Sequence, residues 1–231
     1  MRCILFDLDN TLIVKQPTVP ARILAALAAC GARVDAEDVA RAYARSELWQ
    51  GRQILRENAT GVRMDDEEFL HHIVCIYQDA CLPEGGAEHL IREILFDRRM
   101  GQYAAVPGAH DVLAALRGAG YLLGVASNNH AGIRAVLDAL MLTPFFNGIA
   151  ISEEVGILKP DPRILHIACR AAGASPEESV YVGDHPFDIL CAHEAGMPIY
   201  WCPPNRFFEA PAEVGRPDFT LSDIRELPAL L

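Results

Sequence analysis

Cys3-Ile4-Leu5-Phe6-Asp7-Leu8-Asp9-Asn10-Thr11-Leu12 begins with four apolar residues and stops abruptly at an aspartate. A short apolar run without polar alternation suits a strand of a parallel sheet, whose two faces are both covered. The residues that follow then lie at the strand's carboxyl end, where open parallel sheets bind their ligands. Asp7 and Asp9, two positions apart, can both reach one site if the backbone leaves extended geometry there. One carboxylate can bind a hard cation and attack an electrophile, while the other moves a proton. A turn with an Asx cap is the competing reading of this pair.

The same pattern recurs downstream. Tyr121-Leu122-Leu123-Gly124-Val125-Ala126 reads as a strand ending at Ser127, Gly148–Ile151 as another, and Val180-Tyr181-Val182-Gly183 as one ending at Asp184. Pro198–Trp201 and Phe219–Leu221 read as two more. Helices fall between them: one opens at Pro107-Gly108 and runs through Leu116, and one carries Ile133, Val136, Leu137 and Leu140. Asp161-Pro162 looks like an N-cap with proline in the first turn, and Ser175-Pro176-Glu177-Glu178 repeats that signal. Alternating strands and helices predict an α/β fold with a doubly wound parallel sheet.

A block from about residue 16 to 100 interrupts the alternation with helices alone. Ile23, Leu24 and Leu27 share one helical face, and Gly31 ends that pattern. Asp65 with Glu68 forms a plausible capping box ahead of Phe69-Leu70, with acidic residues at the positive end of the helix dipole. Pro83, Gly85 and Gly86 mark a break before a helix with Leu90, Ile91, Ile94 and Leu95. The expectation is a core of residues 1–15 and 101–231 with an inserted helical domain at 16–100.

Composition narrows the function classes. Apolar residues make up 51% and charged residues 22% of 231, and the formal net charge is -11. Phosphate-backbone binding needs a basic surface, so nucleic acid is not an expected partner. No stretch is long and apolar enough to span a bilayer, and no signal peptide is read at the start. The seven cysteines lack metal-ligand spacing, which points to reduced thiols in a cytoplasmic protein.

Four polar sets lie at or near strand ends. Asp7 and Asp9 are the first. Ser127-Asn128-Asn129 is the second, offering a hydroxyl, amides and backbone N–H groups for an oxyanion or phosphate. Lys159, alone in an apolar stretch, can neutralise a phosphoryl group or hold a carboxylate. Asp184 and Asp188 form the fourth, and a cluster of aspartates without cysteine or paired histidines suits Mg²⁺ better than zinc. Capping and solvated-loop roles compete for each residue taken alone. His185 reads as a loop histidine packed beside the site.

In this order the sets resemble the haloacid dehalogenase-like hydrolase superfamily over the whole chain. Asp7-Leu8-Asp9-Asn10-Thr11 matches its DxDxT motif, Ser127-Asn128 its second, Lys159-Pro160-Asp161 its third, and Gly183-Asp184 with Asp188 its fourth. The block at 16–100 resembles the subfamily I helical (C1) cap on a Rossmann-like core. The resemblance implies that Asp7 attacks phosphorus and forms an aspartyl-phosphate. Asp9 then protonates the leaving alkoxide and activates water. Thr11 supports the loop and lines the phosphate site with Ser127, Asn128 and Lys159. Lys159 also offsets charge around Asp7. Asp7, the backbone carbonyl of Asp9, and Asp184 bind Mg²⁺, with Asp188 in support. The substrate class implied is a small phosphorylated metabolite, taken by a monomer or homodimer.

Asp9 separates activities within the resemblance. Dehalogenases lack this second aspartate because a halide needs no proton, whereas an alkoxide does. Phosphonate-cleaving relatives use a cap lysine, and the block at 16–100 has none. A sugar phosphomutase and a binding protein with a vestigial site remain as alternatives. The arginines at 41, 45, 52 and 56 and Trp49 are available to read a second polar group, but solvated helix faces account for them equally well.

Overall fold

The computed structural model describes residues 2–81, 88–96 and 102–231. Its main sheet holds β1 (Cys3–Phe6), β4 (Leu122–Ser127), β5 (Gly148–Ile151), β6 (Ser179–Gly183), β7 (Ile199–Trp201) and β8 (Phe219–Thr220), in the order β5-β4-β1-β6-β7-β8. Every neighbouring pair is parallel. β1 lies inside, and the chain builds first to one side of it and then to the other. The order therefore reverses beside β1, which makes the β1/β6 edge the topological switch point of a doubly wound sheet. A separate two-stranded sheet joins β2 (Ile13–Gln16) to β3 (Gln102–Ala105).

The apolar reading of β1 has a direct physical counterpart, since all of Cys3–Phe6 is fully buried. Successive side chains point to opposite faces. Ile4 and Phe6 join a core with Val112, Leu113 and Leu116 of α5 (Ala109–Gly118) and Ile133 and Leu137 of α6 (Ile133–Ala139). On the other side of the sheet, α8 (Arg163–Ala172) packs on β5, β4 and β1, burying Ile164, Leu165, Ala168 and Cys169. The short α7 (Ser152–Val155) follows β5, and α9 (Pro186–Glu194) follows β6.

Two start signals resolve differently from their reading. α8 begins at Arg163, one position beyond the expected start: Pro162 takes the N-cap place, and Asp161 before it accepts from Arg163 N at 3.0 Å. Ser175-Pro176-Glu177-Glu178 gives only a single 3₁₀ turn, because β6 begins at Ser179 and leaves no chain for a longer helix.

The chain divides into two compact units: residues 1–14, 103–204 and 209–231, and residues 15–102 with 205–208. The second contains α1 (Val19–Ala29), α2 (Ala36–Thr60), α3 (Asp66–Cys81) and α4 (Glu88–Phe96). Its core gathers Ile23, Leu27, Val39, Val74, Tyr77 and Ile91, among others. Asp65 caps α3 by accepting from Glu67 N at 2.9 Å and Glu68 N at 3.2 Å. Asn205–Phe208 belongs to this unit through its packing on α2: Tyr43 meets Phe208 edge-on, Arg41 lies over Phe207, and Arg206 pairs with Glu37. Trp49 stacks on His72, which accounts for one of the residues noted as a possible reader of substrate. The break expected at Pro83, Gly85 and Gly86 lies outside the described residues, as does the far boundary of the inserted block. No helix among the described residues is long and apolar enough to cross a membrane.

Gly148 fixes how closely α8 approaches the sheet. A Cβ there would sit 2.4 Å from the backbone of Ala171 and Ala172. Backbone atoms of a packed helix cannot move aside as a flexible side chain would. Gly148→Ala is therefore expected to destabilise the protein by about 1–3 kcal/mol, read as a lower midpoint in urea at unchanged m-value.

Candidate active site

The strand register explains why distant parts of the sequence meet. Phe6 pairs with Val125 on one side and Val182 on the other. Asp7 is one residue past that level, and Ser127 and Asp184 are each two past it, so all three project from adjoining strand ends. Asp7 N donates to Val182 O at 2.8 Å, extending the ladder to the nucleophile candidate itself. The chain then turns sharply. Leu8 O accepts from the amides of Thr11, Leu12 and Ile13, and Asn10 takes a left-handed φ of 57°.

Lys159 joins the acids. Its Nζ donates to Asp7 Oδ1 at 2.7 Å, Asp188 Oδ1 at 2.8 Å and the Tyr181 hydroxyl at 2.8 Å. An ammonium has three N–H donors, and three acceptors engage them. Tyr181 in turn donates to Ala126 O at 3.0 Å, tying the lysine to the end of β4. Asn128 holds the lysine's backbone reciprocally: Lys159 N donates to Asn128 Oδ1 at 2.7 Å, and Asn128 Nδ2 donates to Lys159 O at 2.9 Å.

The carboxylates of Asp7, Asp184 and Asp188 offer ligand atoms that all lie within 4.8 Å of one another. All three are buried, as is Lys159 at 7% exposure. Burial pushes the Asp7 carboxyl up; Lys159 opposes this and Asp188 adds to it. Asp184 is pushed well up by burial first and then by the charges of Asp7 and Asp188. Burial by itself would lower the Lys159 ammonium, but Asp188 and Asp7 outweigh it and hold it well above its ordinary value. Three buried carboxylates against one ammonium leave an excess of negative charge on oxygen ligands, and a hard divalent cation fits that donor set.

Gly183 makes the cluster possible. A Cβ there would lie 2.4 Å from Asp188 Oδ2. The Asp188 carboxylate thus occupies the space of the missing side chain, and its Oδ2 accepts from His185 N at 3.1 Å. Asp188 is both a first-turn acid of α9 and a partner of Lys159. His185 caps that helix, its Nδ1 accepting from Phe187 N at 3.2 Å. Trp201 Nε1 fixes the backbone of Asp184 by donating to its carbonyl at 2.8 Å.

Asp9 stands apart from the three clustered carboxylates. Its Oδ2 accepts from Asn129 Nδ2 at 2.6 Å. Ser152 braces Asn129, accepting from its N–H at 3.0 Å and donating to its carbonyl at 3.1 Å. Tyr103 is pushed up to about 12 by burial and by the charge of Asp9. Ser127 is buried at the end of β4, and Thr11 is buried with its Oγ1 unpartnered among the described residues. Sequence reasoning missed Tyr181 and Tyr103 as parts of the site; it placed Asn129 in the second polar set without its link to Asp9, and gave Asn10 of the first motif no role of its own. Tyr181 left one signal: a buried tyrosine in mid-strand must find a partner for its hydroxyl.

The model of the haloacid dehalogenase-like hydrolases matches residues 1–196. The chain belongs to that family. It is 35% identical over 156 residues to a phosphoserine phosphatase of Thermus thermophilus, covering 66% of this chain and 62% of that enzyme. It is 30% identical over 197 residues to a phosphoglycolate phosphatase of Mesorhizobium japonicum, covering 85% and 80%. Among solved structures, the HAD-hydrolase YfnB of Bacillus subtilis, bound to magnesium, superposes with a TM-score of 0.67 at 20% identity, covering 100% of this chain and 98% of that one. Membership of that family accords with the doubly wound parallel sheet.

Two outcomes follow from the geometry. Tyr181→Phe leaves Ala126 O and one Lys159 N–H without a partner, and is expected to cost about 1–3 kcal/mol, measured by chemical denaturation. Asp184→Asn tests the buried charge. A carboxyl whose folded pKa is raised favours the folded state when protonated, and that advantage is lost as pH rises through the raised value. The neutral variant should therefore raise the melting temperature of the metal-free protein at pH 8, by about 2–4 °C per kcal/mol. The gain should vanish as pH falls towards the ordinary carboxylate range, followed by calorimetry across pH.

Proposed function

We propose that this protein is a Mg²⁺-dependent phosphatase that hydrolyses a small phosphomonoester through an aspartyl-phosphate on Asp7. The observation that carries the reading is the Lys159 ammonium held between Asp7 and Asp188, with Asp184 beside them. Asp7, Asp184 and Asp188 would hold the metal together with the backbone carbonyl of Asp9. When bound, Mg²⁺ would offset the repulsion between a carboxylate nucleophile and a phosphate dianion.

The rest of the chemistry belongs to the chain's own groups. An Asp7 oxygen attacks phosphorus, the bond from phosphorus to the ester oxygen breaks, and Asp9 gives its proton to the departing alkoxide. Water then attacks the phosphorus of the aspartyl-phosphate and yields its proton to Asp9, and the bond from phosphorus to Asp7 breaks to release inorganic phosphate. The Asn129 amide aims the Asp9 carboxyl throughout, through its bond at 2.6 Å. Ser127, Asn128, Lys159 and Thr11 form the phosphate site. In this reading residues 16–100 act as a cap and the protein works in the cytoplasm. The phosphoserine and phosphoglycolate enzymes among the relatives act, by their names, on small phosphomonoesters that carry a carboxylate, which puts that class first for substrate.

Phosphate release from an aryl phosphate, 2-phosphoglycolate, phosphoserine and a sugar phosphate, assayed with and without Mg²⁺, tests the reading. Turnover should require Mg²⁺ and fall by roughly 10³–10⁶-fold in Asp7→Asn. An Asp7→Asn protein as active as wild type would refute it.

A further inference from the structure

We propose that Asn10 is a positioning residue for the cation site, with its side-chain amide setting the orientation of Asp184 and thereby the affinity for Mg²⁺. The inference rests on the reading that Asp7, Asp184 and Asp188 hold the metal. Asn10 sits at φ 57°, in the left-handed region that glycine enters freely and asparagine tolerates better than most residues. The turn demands that conformation, with Asn10 N donating to Ile13 O at 2.7 Å. Glycine would satisfy the backbone equally well. Asparagine adds a side-chain donor that glycine lacks: its Nδ2 donates to Asp184 Oδ2 at 3.1 Å.

That bond links the ends of β1 and β6, across the switch point of the sheet. It also divides the work at the site. Lys159 Nζ serves Asp7 and Asp188, and the Asn10 amide serves Asp184. Trp201 fixes the Asp184 carbonyl at 2.8 Å, so main chain and side chain are held by different partners. The neutral donor suits the task. A second ammonium would orient Asp184 just as well but would cancel the negative charge that attracts a cation. An amide fixes the ligand oxygen and leaves the site's net charge unchanged. Residues that hydrogen-bond a metal's carboxylate ligands tune affinity in this way.

Isothermal titration of Mg²⁺ into wild type, Asn10→Gly and Asn10→Ala tests the inference, with metal-free melting temperatures confirming that each variant is folded. Asn10→Gly keeps the turn and removes the amide. It should bind Mg²⁺ about 10-fold more weakly, and its phosphatase activity should recover towards wild type at saturating Mg²⁺. Asn10→Ala removes the amide and strains the backbone, and should bind at least as weakly as the glycine variant. Equal affinity in wild type and Asn10→Gly would overturn the inference, as would a loss confined to Asn10→Ala, which would trace the effect to the backbone. A wild-type protein that binds no Mg²⁺ would instead remove the metal-site reading on which the inference stands.

Discussion

The site is organised around a single buried ammonium. Lys159 Nζ holds Asp7 and Asp188 within 2.8 Å, and its third donor reaches Tyr181. Buried carboxylates cannot stay ionised side by side without a counter-charge, because desolvation and mutual repulsion both oppose ionisation. The surrounding structure serves that contact. Asn128 clamps the lysine's backbone, Gly183 opens room for Asp188, and Tyr181 connects the lysine to β4. The result is a buried group of three carboxylates around one ammonium, an oxygen donor set that suits a hard cation.

The sheet turns this local chemistry into a site. With β1 inside and the order reversing beside it, the ends of β4, β1 and β6 deliver Ser127, Asp7 and Asp184 to one edge. The side chains gathered there occupy distinct positions. The Asp7, Asp184 and Asp188 carboxylates converge, whereas Asp9 is drawn aside by Asn129. The two carboxylates of the first motif thus stand in separate environments, which the proposed division into nucleophile and proton carrier requires.

Much of the fold was legible because the burial pattern of a parallel sheet is written into short apolar runs. Cys3–Phe6 and Val180–Gly183 announce strands covered on both faces, and an aspartate marks each end. Helix starts were less secure. Ser175-Pro176 carries the same local signal as Asp161-Pro162, yet only the latter leads into a helix, because β6 follows the former too soon. Local capping chemistry permits a helix; the space before the next strand decides its length. The grouping of Asn205–Phe208 with the helical unit has no local signature either, since it depends on which aromatic and charged residues of α2 those side chains meet.

By itself the sequence determined the order of the chemistry: an acid pair, a hydroxyl with amides, a lysine and a second acid pair, each at or near a strand end. Residue type and apolar spacing suffice for that, since both act over a few residues. Only the tertiary structure decided which partners each group finds. Tyr181 becomes the third acceptor of Lys159, Asn129 takes Asp9, and Asn10 takes Asp184 across 174 residues of chain. Hydrogen bonds of that kind depend on distances of a few tenths of an ångström between strand ends, which the packing of the sheet and α8 sets and no local pattern encodes.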